Sequence, residues 1–196
     1  MKNTKIVTSK PDHISALPLV GLFLFIINDM GLTQDLSGQI AINSTDYDPD
    51  TKTITITREH KALRKHFKIT HPYPDGGGPL ILFPVGHWYN FWMLHSWVCK
   101  TNGDAPDSGA KIEIMQSDLE TLRTELEHVL KLPLQEETFE ILDDIFQSDA
   151  ASFSHQDYKD NWNDLKGLAS DLAKLIDAQN DPKTKSFEYF TYEGWY

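Results

Sequence analysis

The residues best suited to chemistry lie close together: Trp88, Phe91, Trp92, His95, Trp97 and Cys99. Read as a helix over Gly86–Cys99, steps of three and four set Trp88, Phe91, Trp92, His95 and Cys99 on one face, with Met93 and Trp97 on another. Indole rings offer flat stacking surfaces with a single N–H donor, and an imidazole among them binds a planar or anionic ligand or relays a proton. The same spacing fits a core helix whose histidine is satisfied by a backbone carbonyl, so pocket and core both stay open here.

A second grouping, Arg58, Lys61, Arg64, Lys65 and Lys68, surrounds Ala62, Leu63 and Phe67. Helical spacing would align several of these cations to neutralise a phosphate, although a solvated surface face or a continuing strand fits the segment too. His60, His66 and His71 match no short zinc spacing and have no CxxC beside them, so no metal site is expected. The Gly76-Gly77-Gly78 run lacks the GxxxxGK[ST] arrangement, no GxGxxG turn occurs, and no GxSxG elbow presents a nucleophile. No catalytic residue and no cofactor are therefore assigned.

The chain of 196 residues has a formal net charge of -11, carried unevenly. Residues 1–100 hold 10 Lys/Arg against 8 Asp/Glu, whereas residues 101–196 hold 8 against 21. Such a field repels nucleic-acid phosphates and steers a basic protein partner, besides favouring solubility. A single cysteine, Cys99, excludes an intramolecular disulfide and fits a reducing compartment. The apolar run Leu17–Ile27 is interrupted by Pro18 and Gly21 and falls short of the roughly 20 residues that span a bilayer. The expected location is the cytoplasm, with no membrane segment.

The elements that would position these groups follow from the apolar pattern. Ile14–Met30 reads as a largely buried helix, and Gly38–Asn43 and Thr51–Thr57 as strands joined by a turn at Asp46, Asp48, Pro49 and Asp50. His71–Pro84 reads as a turn-rich loop leading into a short strand, Leu80–Phe83. After the aromatic helix, Lys111–Met115 alternates as a strand. Ser117 with Glu120 suggests a capping box opening a helix to about Leu130, which Pro133 ends. A long helix is expected from Ser154 to about Asp177, with Tyr158, Trp162, Leu165, Leu168, Leu172 and Leu175 inward, and Phe187–Tyr192 reads as a strand. The fold expected is α+β: short strands in a mixed or antiparallel sheet against three or four helices.

Gly86-His87-Trp88 followed by His95-Ser96-Trp97 resembles the G-Y-W-R-K-x-N-x-I-H-x-W signature of a family of small phage and prophage proteins. The resemblance continues through Ser117-Asp118-Leu119-Glu120 (S-x-E-D-L), Leu132-Pro133-Leu134-Gln135 (L-P-x-Q), Asp157-Tyr158, and the aromatic ending from Phe187-Glu188-Tyr189 to Trp195. It covers residues 85–196, leaving 1–84 as an N-terminal elaboration of helix and strands. Tyr89, Asn90 and Trp92 stand where the signature has Arg, Lys and Asn.

The resemblance implies a phage setting, in the cytoplasm of a bacterial host cell, and no particular reaction. The expected function is a phage-associated binding protein, a counter-defence protein sequestering a small nucleotide-like ligand. Trp88, Trp92, His95, Trp97 and Trp195 would supply stacking, Arg64 or Lys65 the phosphate contact, and Gln135 a positioning group. The alternatives are an acidic inhibitor docking onto a basic host enzyme, and a nucleotide-modifying enzyme using His95 as acid or base.

Overall fold

The computed structural model describes residues 31–41, 47–48, 50–51, 53–54, 58, 61, 72–75, 78–103, 107–148, 151–183, 187 and 189–196. The helix expected over residues 14–30 lies outside them, as do Arg64, Lys65 and Lys68 of the basic stretch.

Seven strands and five helices occur among the described residues. Strands β1 (Thr33–Ala41), β4 (Pro72–Asp75), β5 (Gly78–Tyr89), β6 (Lys111–Ile114) and β7 (Tyr189–Trp195) form one sheet in the order β4-β5-β1-β7-β6. Every pairing in it is antiparallel. Two short strands, β2 (Tyr47–Asp48) and β3 (Thr53–Ile54), pair separately, and the Asp48 Oδ1 accepts from the backbone N–H groups of Asp50 and Thr51 between them. The helices are α1 (Trp92–Asn102), α2 (Gln116–Val129), α3 (Glu136–Phe146), α4 (His155–Asp160) and α5 (Trp162–Asn180). The fold is α+β, with none of its helices long and apolar enough to cross a membrane among the described residues.

Along β1 the period-2 alternation sends Leu36, Gly38 and Ile40 to the helix-covered face, with Gln34 among them. The helices bury their apolar stripes against that face and each other. Leu119, Leu122, Leu126 and Val129 of α2 and Leu165, Leu168, Leu172 and Leu175 of α5 are all buried. Each such side chain stabilises the fold by about 1.5–3 kcal/mol.

Close approach at this face depends on Gly38, where a Cβ would stand 2.6 Å from the Phe187 ring, and on two further glycines. A Cβ at Gly86 would stand 2.1 Å from the Trp88 ring, and one at Gly194 would stand 2.8 Å from the Tyr192 hydroxyl. Each of the latter two rings lies along its own strand over the glycine two residues away, on the same face of the pleat.

Several expectations are corrected. The helix expected over Gly86–Cys99 begins only at Trp92, because β5 remains hydrogen-bonded to β1 as far as the Thr33–Tyr89 pair. Asn90 then turns the chain with a positive φ of 54°, a conformation Asn tolerates. Its N–H donates to the Leu32 carbonyl at 2.7 Å and its Oδ1 accepts from the Leu32 N–H at 2.8 Å. Trp88 therefore does not share a helix with His95.

The loop expected over residues 71–84 contains a hairpin, in which Asp75 pairs with Gly78, and the short strand is a 12-residue one. Helix α2 starts a turn-fraction early, at Gln116 with Met115 as N-cap, and makes no side-chain capping bond. The capping box stands instead at Ser154 and Asp157. The single helix expected from Ser154 divides at Asn161, which ends α4 and opens α5, and α3 was not anticipated. The division expected after residue 84 falls inside β5, and β1, from the N-terminal part, pairs with both β5 and β7.

Candidate functional site

His95 sits in the first turn of α1 with 8% of its surface exposed, facing the strand residues Gln34 and Tyr192. Proton positions follow from one backbone group. The Phe91 N–H can only donate, so the Gln34 atom facing it at 3.1 Å is the carbonyl Oε1. The Gln34 Nε2 then donates to the Tyr192 hydroxyl at 3.0 Å. The remaining partner of that hydroxyl is His95 Nδ1 at 2.8 Å, so Tyr192 donates its proton there. His95 is thereby held as the tautomer with its proton on Nε2, and burial pushes its pKa down to about 4. Burial likewise raises the pKa of Tyr192, keeping the phenol protonated.

Two half-buried rings adjoin this imidazole. Trp92 lies 5.8 Å from it at 87° and Tyr196 lies 5.6 Å away at 76°, with 6.4 Å between those two centroids. His95 Nε2 has no hydrogen-bond partner among the described residues. One turn further along α1, Cys99 is buried with its pKa raised to about 11, chiefly by that burial. A nucleophilic pair needs a thiolate beside an imidazolium. Here the thiol stays protonated and the imidazole neutral, the reverse of that charge state.

The residues expected at one ligand site are distributed over several places. Trp92 and His95 remain neighbours. Trp88 and Trp97 are core residues, 8% and 6% exposed. Gln135 is the exposed N-cap residue of α3 and donates to Glu137 Oε2 at 3.1 Å. Trp195 stands on the opposite side of the sheet, half-exposed, its ring over Gly109, where a Cβ would approach to 2.6 Å. Arg64 and Lys65 lie outside the described residues. No group of three or more His, Cys, Asp or Glu able to hold a metal occurs among the described residues.

Besides Trp195, the face of the sheet away from the helices carries groups that pattern reading missed. Asp35 pairs in register with His87 on one side and Glu193 on the other, and His87 Nδ1 lies 2.7 Å from Asp35 Oδ1. In the adjacent row Thr33 is flanked by Tyr89 and Trp195, which are 71% and 51% exposed. Their signal in the sequence was the Gly-x-aromatic spacing at Gly86–Trp88 and Tyr192–Gly194, which marks strands with a ring folded over a glycine. Once those strands are recognised, the intervening His87 and Glu193 fall on the opposite face.

Comparison of the chain with protein-family models, curated proteins and solved structures found no match.

Proposed function

We propose that the chain is a phage-associated binding protein that acts by docking onto a basic host protein, in a counter-defence role. The observation that carries this reading is the outward surface of the helices. Glu125 on α2, Glu140 on α3 and Asp164 on α5 are exposed and have no ion-pair partner among the described residues. Uncompensated charge of one sign raises the encounter rate with a partner of the other and disfavours phosphate-bearing ligands. The phage setting is supported by the resemblance of residues 85–196, and with it the cytoplasm of a bacterial host.

The test compares capture from host cells by the natural chain and by a variant with Glu125, Glu140 and Asp164 all changed to Lys. A basic protein retained by the first and lost by the second, with association that slows as salt rises, supports the proposal. The same proteins retained by both would overturn it.

A second reading, sequestration of a small nucleotide-like ligand, is favoured by one observation: Trp92 and Tyr196 adjoin the buried, unpartnered Nε2–H of His95. A base stacked there would accept that proton. Titration with nucleotides followed at the His95 ring protons tests it, and unchanged signals at millimolar ligand count against it.

A further inference from the structure

We infer that the open face of the sheet carries a recognition site for an arginine side chain of a protein partner, built from Tyr89, Trp195, Asp35 and Glu193. The inference rests on the protein-binding reading above and places a separate contact with a protein partner on the face of the sheet opposite the helices.

Tyr89 and Trp195 both pair with Thr33, one on each neighbouring strand, so all three project from the same face. Two strand spacings separate the aromatic residues by about 10 Å at their Cα atoms. Their rings lean away from the intervening position. Tyr89 turns along its strand to meet His87 edge-on at 4.8 Å, and Trp195 extends across to Gly109. Thr33, short and half-buried, is the floor between two exposed aromatic walls. Large aromatic side chains left this exposed lose the burial energy that normally holds them, and they are the residue types that anchor protein interfaces.

The next row supplies the charge. Asp35 and Glu193 are directly opposite each other on adjacent strands, a like-charge pairing that destabilises a sheet. His87 contacts Asp35 through Oδ1 alone, which leaves Oδ2 for another donor. Glu193, whose other cross-strand neighbour is Lys111, has no hydrogen bond or ion pair among the described residues. A cation received between these carboxylates relieves the repulsion, and the aromatic faces one row away add cation–π attraction. Guanidinium fits this combination better than ammonium: it is planar, stacks on rings and presents a fork of N–H donors to carboxylates. A phosphate-bearing ligand meets two carboxylates at the same place and is disfavoured.

The experiment is a titration of the full chain with a short blocked peptide holding one central arginine, and with its citrulline counterpart, which keeps the shape and loses the charge. Chemical shifts of the five indole N–H groups are followed by NMR, with Trp195 assigned through Trp195→Phe. The expected result is a saturable shift at Trp195 with the arginine peptide and at least tenfold weaker binding of the citrulline peptide. Glu193→Gln and Tyr89→Ala should each weaken the arginine peptide by at least tenfold, and both replace exposed or half-exposed side chains. Equal response to both peptides, no response at Trp195, or a Trp195 response to AMP alone would overturn the inference. The variant with three helix charges reversed is expected to keep the peptide response. Loss of host-protein capture in the natural chain with that response intact would therefore overturn only the wider docking proposal.

Discussion

Tyr192 donates its phenolic proton to His95 Nδ1 across 2.8 Å, joining β7 to α1 through two buried side chains. The direction of that bond is set by a third residue, Gln34, whose carbonyl is fixed by the Phe91 N–H. The bond has a consequence for acid stability. His95 has a folded pKa near 4, below its ordinary value of 6.5, so between these values the unfolded chain binds a proton that the folded chain does not. Stability contributed by the neutral imidazole is present above pH 6.5 and is lost progressively as pH falls towards 4, by about 3 kcal/mol at most. Urea unfolding across pH 4–7 should show this slope in the natural chain and a shallower one in His95→Gln. Parallel profiles would show that His95 is not held neutral.

Removing the hydroxyl tests the same chain of bonds from the other end. Tyr192→Phe keeps the ring over Gly194 but leaves Gln34 Nε2 and His95 Nδ1 buried without partners. Each orphaned group costs about 1–3 kcal/mol, so a total loss of about 2–6 kcal/mol is expected in denaturant unfolding. A loss below about 0.5 kcal/mol would mean that other partners replace the phenol.

Cys99 supplies a chemical test of the same interior. Its thiol is buried and its pKa is raised to about 11, so the thiolate is scarce at neutral pH. A thiol reagent should modify the native chain far more slowly than the unfolded one, by at least a hundredfold. Comparable rates would place an activated, accessible thiol on α1 and reopen the enzymatic reading.

The α+β class and most elements after residue 110 were legible in the sequence because amphipathic periodicity there agrees with what the helices bury. The aromatic segment was misread for a physical reason. Trp88, Phe91, Trp92 and His95 keep helical spacing, yet strand pairing holds the chain extended to Tyr89, and periodicity cannot register a partner strand distant in sequence. The site suffered most from this, since residues assigned to one helical face belong to two elements. His87 and Tyr89, whose strand partners set their face, acquired a place only once β1 was laid beside β5.

Asn90 marks that junction and gives a prediction of its own. At φ 54° with its side chain bonded to the Leu32 N–H, it both tolerates the left-handed turn and ties it to the start of β1. Asn90→Ala should cost about 1–3 kcal/mol, combining backbone strain with an unpaired N–H, while Asn90→Gly recovers the backbone part only. Stability in the order Asn, Gly, Ala is the expected outcome, and Ala equal to Gly would remove the strain argument.

Two glycines of opposite character separate close packing from backbone propensity. At Gly86 an added methyl would meet the Trp88 ring at 2.1 Å, and that ring is buried between β5 and Phe91, 6.5 Å away. Gly86→Ala must displace an indole from the core, with an expected loss of about 1–3 kcal/mol and a changed Trp fluorescence spectrum. At Gly167 on α5 an added methyl meets nothing within 4 Å and the position is exposed. There Ala only reduces the conformational freedom of the unfolded chain and improves helix propensity, so Gly167→Ala should stabilise by about 1 kcal/mol. Thermal unfolding of the two variants should therefore shift in opposite directions. A Gly86→Ala chain as stable as the natural one would mean that Trp88 has a second place to go, and the strand assignment of residues 86–89 would lose its main packing argument.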